Sequence, residues 1–259
     1  INGWLLDLFE DTQAAGVVLW VLTDEGKRVR LHQPFPIRFS LSGPAKVLRQ
    51  VWRFLKSHAS QPQLSRREGR DLFHPEPVDL LVVEVASFSL QQRLFRELLD
   101  RYPDLLYYDA DVSLPLRYAA KTDSFPLCRC EITCFESGLV HQFIVRDSPW
   151  ELDPQAPALT IMNLEPDCDP LHASPQALLV SVAGVNYRLS LHPARALLIN
   201  LQALLKRHDP DVLLTRWGDT WLLPFLVQLA EKNEITLALN REPGHGFLQR
   251  PERSYFSYG

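Results

Sequence analysis

The stretch ALTIMNLEPDCDP, residues 158–170, passes from a hydrophobic run directly into a group of acidic residues. Its apolar first half predicts a buried β-strand. Carboxylates at the end of such a strand are typical ligands of a divalent cation, which in turn holds a phosphate. The position where an aspartate would serve that cation best is occupied by Asn163. The stretch is therefore either a metal-dependent active site or a site that has lost its chemistry.

Downstream of this strand, the pattern predicts a hairpin, a helix, a strand, a helix and a strand around one hydrophobic sheet. The hairpin turns near Gly184, and the helix after it carries leucines along one face. A short buried strand is predicted at residues 211–218, a helix with Asp219 as its N-cap at residues 219–235, and a final strand at residues 236–239. This order is the one that a ribonuclease H-like domain requires.

The sequence pattern of residues 1–150 predicts a separate α+β domain. Antiparallel strands punctuated by proline and glycine come first, followed by a helix, a strand and a second helix. A hairpin turning at Ser137 and Gly138 then leads to a proline-rich connector near residues 150–157, where we place the domain boundary. The predicted fold class is α/β: an α+β domain over residues 1–150 and a ribonuclease H-like mixed sheet flanked by helices over residues 151–259.

Composition limits the classes of function that the chain can serve. The chain has 259 residues, of which 46% are hydrophobic, and its formal net charge is −4. This balance provides a substantial core and excludes a uniformly basic nucleic-acid-binding protein, although it permits a local basic groove. No run of about 18 apolar residues predicts a membrane span, and no signal peptide is visible. Because the first residue is Ile1 rather than Met, we expect a fragment of a longer protein.

The cysteines permit two interpretations. Cys128, Cys130 and Cys134 share one face of a predicted strand, and Cys168 lies apart from them. The three are either zinc ligands or small core residues. Zinc sites usually place Cys-x-x-Cys pairs on turns and add histidines, which this pattern lacks, so the core interpretation is favoured. Free thiols indicate a reducing cytoplasm.

Three stretches, in order along the chain, resemble family B DNA polymerases. YYDADVSLPLRYAAKTDSFPL (residues 107–127) is similar to the segment before the exonuclease domain of that family, where an acidic residue precedes an Arg-Tyr pair. LTIMNLEPD (159–167) falls where the family has its first exonuclease motif, a strand ending Asp-Ile-Glu, and HDPDVLLTRWGDTWLLPFLVQLAEK (208–232) falls where it has its second. INGWLLDLF and SYFSYG, near the two ends, also resemble relatives. The resemblance implies an N-terminal domain and most of a 3′–5′ exonuclease domain, ending before the third exonuclease motif and the palm.

The resemblance also implies that acidic ligands of the exonuclease have been replaced. Active members hold two divalent cations, about 3.5–4 Å apart, with carboxylates. The aspartate of the first motif falls on Asn163, whereas its glutamate is retained as Glu165, with Leu164 between them expected to point into the core. The metal-binding aspartate of the second motif falls on Leu222, and its proline is retained as Pro224.

An amide offers an oxygen without charge, and leucine offers no ligand. We therefore expect an exonuclease fold without the exonuclease reaction, with no active catalytic residue at Asn163, Glu165 and Leu222 and with no metal cofactor. The alternative is a relocated site in which Glu165, Asp167 and Asp219 bind Mg²⁺ or Mn²⁺. In the favoured interpretation Asp167 is instead a solvated turn residue and Asp219 a helix N-cap.

The candidate nucleic-acid-binding residues are Arg216, Trp217 and Trp221. The two tryptophans fall on the Asn and the Phe of the second motif. They either stack on unpaired bases or fill the volume of the lost metal site, and packing is the favoured interpretation. Arg216 lies next to the former cleft, where it could contact a phosphate.

The resemblance implies DNA, either single-stranded or primer–template, and the palm, fingers and thumb of a parent polymerase as partners, with no membrane. We expect a cytoplasmic, nucleoid-associated protein. The parent chain would be a DNA-directed DNA polymerase, and this region a scaffold without catalysis of its own. Two alternatives remain: an active metal-dependent 3′–5′ exonuclease with relocated carboxylates, and a protein-interaction platform that binds no DNA.

Overall fold

The computed structural model describes residues 1–12 and 14–242. The chain divides into two compact units, Ile1–Ala158 and Leu159–Gly259. This division follows directly on the connector near residues 150–157 where the sequence places the boundary. The SYFSYG segment near the end of the chain lies outside the described residues. In the described part of the chain, no helix is long and apolar enough to cross a membrane.

The first unit combines two antiparallel sheets with helices. Its elements, in chain order, are β1 (Asn2–Glu10), β2 (Gly16–Thr23), β3 (Arg28–Pro34), β4 (Ile37–Ser42), α1 (Ala45–Lys56), β5 (Gln63–Asp71), β6 (His74–Val85), α2 (Phe88–Arg101), β7 (Leu106–Tyr108), α3 (Leu114–Thr122), β8 (Arg129–Cys134) and β9 (Val140–Val145). One sheet has the strand order β3-β2-β1-β8-β9, and the other has the order β5-β6-β4-β7.

The core of the first unit follows the hydrophobic spacing of its sequence. In α1, Val51 and Leu55 lie one turn apart and are both fully buried, as an amphipathic helix requires. Cys128 and Cys130 belong to the same core, which is where the core interpretation of the cysteines placed them. Burial raises the pKa of both thiols, that of Cys130 to about 12.

The second unit is a four-stranded mixed sheet with helices. Its elements are β10 (Ile161–Pro166), β11 (Ala177–Val182), β12 (Val185–Ser190), α4 (Ala194–His208), β13 (Val212–Thr215), a π-helical turn (Gly218–Leu222) and α5 (Leu223–Lys232). The strand order is β12-β11-β10-β13. Strands β10, β11 and β12 pair antiparallel, whereas β13 runs parallel to β10. This topology confirms the predicted fold class.

The leucine-rich face of α4 forms much of the core of the second unit. Met162 and Leu164 of β10 and Leu226 of α5 complete the same cluster. The prediction that one face of this helix would be buried is confirmed by its five buried leucines, which are Leu197, Leu198, Leu201, Leu204 and Leu205.

Three local predictions for the second unit are wrong. Strand β13 is not a buried strand, because it lies at the edge of the sheet and Leu214 is 50% exposed. Residues 236–239 form no strand; Leu237 and Leu239 pack against the core without joining the sheet. Asp219 is not an N-cap, because it lies exposed inside the π-helical turn, and α5 begins only after Leu222.

Candidate functional site

Strand β10 presents its side chains to two different surroundings. Met162 and Leu164 are fully buried in the core, so the predicted inward position of Leu164 is confirmed. Asn163 is exposed and Glu165 is half-buried. Because successive side chains of a strand point to opposite faces, Asn163 and Glu165 share the face that the leucine core does not occupy. The candidate site lies on this face.

Asn163 makes a local contact with the neighbouring strand. It lies directly opposite Ser181 of β11, and its Nδ2 donates a long hydrogen bond to Ser181 Oγ at 3.4 Å. The amide therefore uses a donor in the sheet and brings no negative charge to this face.

Glu165 lies beside a basic side chain. Arg216 Nη1 is 4.0 Å from Glu165 Oε2, with side-chain exposures of 74% and 44%. A pair this exposed contributes less than about 1 kcal/mol to stability. The backbone holds Arg216 in this place, since its N–H donates to Leu164 O at 3.1 Å and so extends the pairing of β10 with β13. The retained acid thus has a guanidinium as a close charged neighbour.

Leu222 lies in the hydrophobic core rather than on the exposed face. Its side chain is 0% exposed and clusters with Met162, Leu164 and Leu226. The structure therefore brings Asn163 and Glu165 onto one face but does not place Leu222 beside them. A ligand side chain at position 222 would have to displace apolar contacts.

The π-helical turn between β13 and α5 explains the local chain path. Trp217 adopts a left-handed conformation with φ 58°, and its carbonyl accepts hydrogen bonds from the N–H groups of both Trp221 and Leu222. Pro224 has no N–H group to donate within a regular α-helical turn. This missing donor favours the wider π-helical turn. Gly218 is required by space, because a Cβ there would meet Thr215 Oγ1 at 2.0 Å.

Trp221, in the π-helical turn, packs against the first turn of α5. Its ring stacks on Phe225 with the centroids 4.9 Å apart and the planes 9° from parallel, and it also contacts the core of the unit. One face of the indole is therefore covered by protein. Of the three nucleic-acid-binding candidates, Arg216 and Trp217 lie on the loop after β13, whereas Trp221 is a packing residue in this geometry.

Asp167, one of the alternative metal ligands, is engaged by protein donors. Its Oδ1 accepts the N–H of Gln176 at 2.9 Å, and its Oδ2 accepts Nη2 of Arg188 at 2.7 Å. The backbone hydrogen bond from Gln176, followed by the bonds from Ala177 and Arg188, lowers the pKa of this carboxyl. The side chain is only 13% exposed. Asp167 therefore closes the loop between β10 and β11.

Asp169 closes the same loop further out. It accepts the N–H of Leu171 at 2.9 Å and contacts His172 Nδ1 at 2.8 Å, and the bond from Leu171 lowers its pKa. Among residues 1–12 and 14–242, no three histidine, cysteine or acidic side chains are grouped so that they could hold a metal ion. The alternative set of Glu165, Asp167 and Asp219 is therefore not assembled in the described part of the chain.

One acid in the described part of the second unit has a fully buried side chain but was not singled out from the sequence. Asp211 is 0% exposed; its Oδ2 accepts the N–H of Thr160 at 2.9 Å, and its Oδ1 lies 3.4 Å from Nη1 of Arg241. The same guanidinium contacts Asp209 at 2.8 Å. The Asp-Pro-Asp sequence thus ties the start of β10 to the end of α4. The two aspartates of this sequence are evident from the residues themselves. No local pattern in the sequence predicts that Arg241 is their partner.

The sheet of the second unit, with three antiparallel strands and a parallel edge strand, has the predicted ribonuclease H-like topology. Comparison with solved structures shows which known protein has a similar fold. The chain is similar to the family B DNA polymerase from the hyperthermophilic archaeon Pyrobaculum calidifontis, with a TM-score of 0.72 over 93% of this chain, at 19% sequence identity. The match covers 34% of that polymerase, so this chain corresponds to about a third of its length. No protein-family profile and no curated protein sequence matches the chain. At this identity the likeness establishes the fold, which is that of the N-terminal and exonuclease region of such a polymerase.

Proposed function

We propose that the chain is the N-terminal and exonuclease-like region of a family B DNA-directed DNA polymerase, and that its second unit has kept the exonuclease fold without the exonuclease reaction. The observation that carries the proposal is the state of the degenerate positions. Asn163 is exposed but uncharged, Leu222 is buried among apolar side chains, and Glu165 has Arg216 beside it.

The charge balance of this face does not fit a divalent cation. Mg²⁺ loses its hydration water reluctantly and is bound through carboxylate oxygens. Glu165 supplies one such group, and the neighbouring positive charge of Arg216 opposes the approach of a cation. The side chains therefore do not fit the metal pair of active exonucleases, and no metal-dependent step follows from them.

The remaining role is that of a DNA-binding and structural scaffold. Arg216 is 74% exposed, so its guanidinium can contact a phosphate, the usual partner of such a side chain at a DNA interface, on the side away from Glu165. Trp217 adjoins it and could stack on an unpaired base. In this proposal the region guides single-stranded or primer–template DNA and supports the palm, fingers and thumb of the parent polymerase.

A cleavage and binding experiment on one oligonucleotide tests the proposal. The chain is mixed with a single-stranded DNA that carries a 3′ label, over a titration of Mg²⁺ and then of Mn²⁺. We expect binding that weakens with salt, no shortening of the DNA, and a salt slope reduced by about one in Arg216→Ala. Arg207→Ala, which removes an exposed cation at the end of α4 in the same unit, is the matched control.

Two outcomes would contradict the proposal in different ways. Metal-dependent shortening that disappears in Glu165→Gln would establish an active exonuclease with relocated ligands. Absence of binding even at low salt would instead favour a protein-interaction platform.

A further inference from the structure

Helix α1 carries a row of positive charges. Four of its 12 residues are lysine or arginine and none is acidic, whereas the chain as a whole has a formal net charge of −4. All four cations are exposed; they are Lys46, Arg49, Arg53 and Lys56, here called the α1 stripe. A local excess of positive charge raises the concentration of an anionic partner near that surface.

The four cations lie along one side of the helix. They follow one another at intervals of three, four and three residues, so at about 100° per residue they fall within an arc of roughly 80°. Val51 and Leu55, which are fully buried, lie on the opposite side. At about 1.5 Å per residue the stripe is about 15 Å long. The helix therefore packs on its apolar side and presents a straight row of cations to solvent.

The stability of the helix does not account for this row. Arg49 and Arg53 are four residues apart, and like charges at that spacing destabilise a helix. Lys46 lies in the first turn, where the positive end of the helix dipole disfavours a cation. Only Arg53 and Lys56, in the last turn, are favoured by the dipole. The stripe therefore has a cost in folding that binding of an anion would offset.

The stripe is not neutralised by the chain itself. Among residues 1–12 and 14–242, the ion pairs include none of its four cations. Two acids on neighbouring elements have other cations beside them. Glu97 contacts His58 at 3.2 Å, and Asp79 lines a small cavity together with Arg66. The positive charge of the stripe is therefore available to a partner.

The aromatic side chains of α1 are not available for base stacking. Lys56 and Arg66 both lie over the ring of Trp52, at 5.7 and 6.0 Å from its centroid. The guanidinium of Arg101 lies over the ring of Phe54 at 4.6 Å. Single-stranded nucleic acid is usually held by stacking of its bases on open aromatic rings. This surface offers contacts to phosphates alone, which a duplex presents along its outside.

The length of the stripe suits one strand of a duplex. Each strand carries one charge per about 3.4 Å of helix axis, so about 15 Å of axis holds about four phosphates. We infer that the α1 stripe binds the phosphate backbone of double-stranded DNA without reading its sequence. The inference goes beyond the proposed function, which places DNA on the second unit, and only the choice of DNA over another duplex rests on that function.

Fluorescence anisotropy of the full-length protein with a labelled duplex tests the inference. The duplex has blunt ends and about 20 base pairs, and sodium chloride is varied from about 50 to 200 mM. Arg49→Gln with Arg53→Gln should lower the slope of log affinity against log salt by about 1.8, since each phosphate contact contributes about 0.9. Between these two salt concentrations, the variant should therefore lose about 10-fold less affinity than the unaltered protein.

Two further variants separate the stripe from general charge effects. Arg49→Lys with Arg53→Lys should keep the slope, because these contacts need the charge and not the shape of the guanidinium. Lys27→Gln with Lys121→Gln removes the same charge from exposed positions and should also keep it. Lys27 lies in the turn before β3 and Lys121 lies in α3, which packs on β1 and β2 of the other sheet.

Several results would overturn the inference. They are an unchanged slope in the Arg49 and Arg53 glutamine variant, an equal loss in the Lys27 and Lys121 variant, and an equal effect on a single strand of the same sequence. Displacement of the duplex by polyglutamate as readily as by unlabelled duplex would identify an acidic protein as the partner instead. A lower melting temperature of the glutamine variant would show that the stripe serves folding, since removal of like charges should leave it equal or higher.

Failure of the proposed function would look different. The duplex has no single-stranded end, so it does not report on Arg216 and Trp217 of the second unit. Duplex binding that depends on the stripe, together with no binding of single-stranded DNA, would support this inference and contradict the proposed role of the second unit.

Discussion

Replacement of Leu222 by aspartate tests whether position 222 can carry a metal-binding carboxylate in this fold. Leu222 is 0% exposed within the core. Truncation of a buried leucine costs about 2–5 kcal/mol, and leaving a polar group buried without a partner adds about 1–3 kcal/mol. We therefore expect Leu222→Asp to lower the free energy of unfolding by about 3–8 kcal/mol, an amount comparable to the whole stability of a typical domain, about 5–15 kcal/mol.

The loss should depend on pH in a definite direction. Burial raises the pKa of an introduced carboxyl in the folded state above its unfolded value of about 3.9. The folded state then holds a proton that the unfolded state releases. The destabilisation is therefore smallest below the unfolded pKa and grows as pH rises towards the folded pKa.

Hydrogen exchange resolved by mass spectrometry is a suitable assay, because it reports on β10 and α4 separately from the first unit. Leu222→Ala is the control for packing and should show the truncation cost without the pH dependence. Asn163→Asp, on the exposed face, should change stability by no more than about 0.5 kcal/mol. Either of two results would refute the reasoning. One is hydrogen-exchange protection of β10 in the Leu222→Asp variant equal to that in the unaltered protein. The other is binding of Mn²⁺ by the double variant Leu222→Asp with Asn163→Asp.

Three further predictions concern individual contacts. Asp211→Ala should lower the free energy of unfolding by about 1–3 kcal/mol in urea titrations, since it removes an acceptor from the partly buried N–H of Thr160 and from the guanidinium of Arg241; a loss below about 0.5 kcal/mol would show that Asp211 does not tie β10 to α4. Gly218→Ala should cost about 1–3 kcal/mol, and adding Thr215→Ala should recover part of that cost because it removes the atom that the new Cβ meets; an unchanged cost in the double variant would show that the strain lies elsewhere. Cys128 and Cys130, whose pKa values are raised by burial, should not react with a thiol reagent at pH 8 until the protein is denatured; rapid reaction of the native protein would contradict their burial.

The elements with a one-sided hydrophobic pattern could be predicted from the sequence. The leucines of α4 and the alternation around Leu164 both follow from burying one face of an element against a common core. The same alternation placed Asn163 and Glu165 together on the opposite face. That part of the candidate site is local to a single strand, so sequence spacing determines it.

Other features depend on contacts that a local pattern does not contain. Strand β5 was missed because it is an edge strand with polar residues on both faces, so it lacks an alternating signal. The prediction of Asp219 as a helix N-cap was wrong because Gly218 and Pro224 favour a π-helical turn where a regular helix start was expected. The partnership of Asp211 with Arg241 joins residues far apart in sequence, and neither predicts the other.

The π-helical turn between Gly218 and Leu222 has a consequence for the whole of α5. A π turn accommodates one residue more than an α turn, and each residue of an α-helix advances about 100° around the axis. The extra residue therefore sets the angular phase at which Leu226 and Ala230 reach the interior. Deletion of one residue here would leave a helix of nearly the same length whose apolar stripe had rotated by about 100° towards water. In a relative with a regular α-helical turn, the buried face of the corresponding helix would superpose on that of α5. The sequence alignment would then need a gap of one residue at the turn.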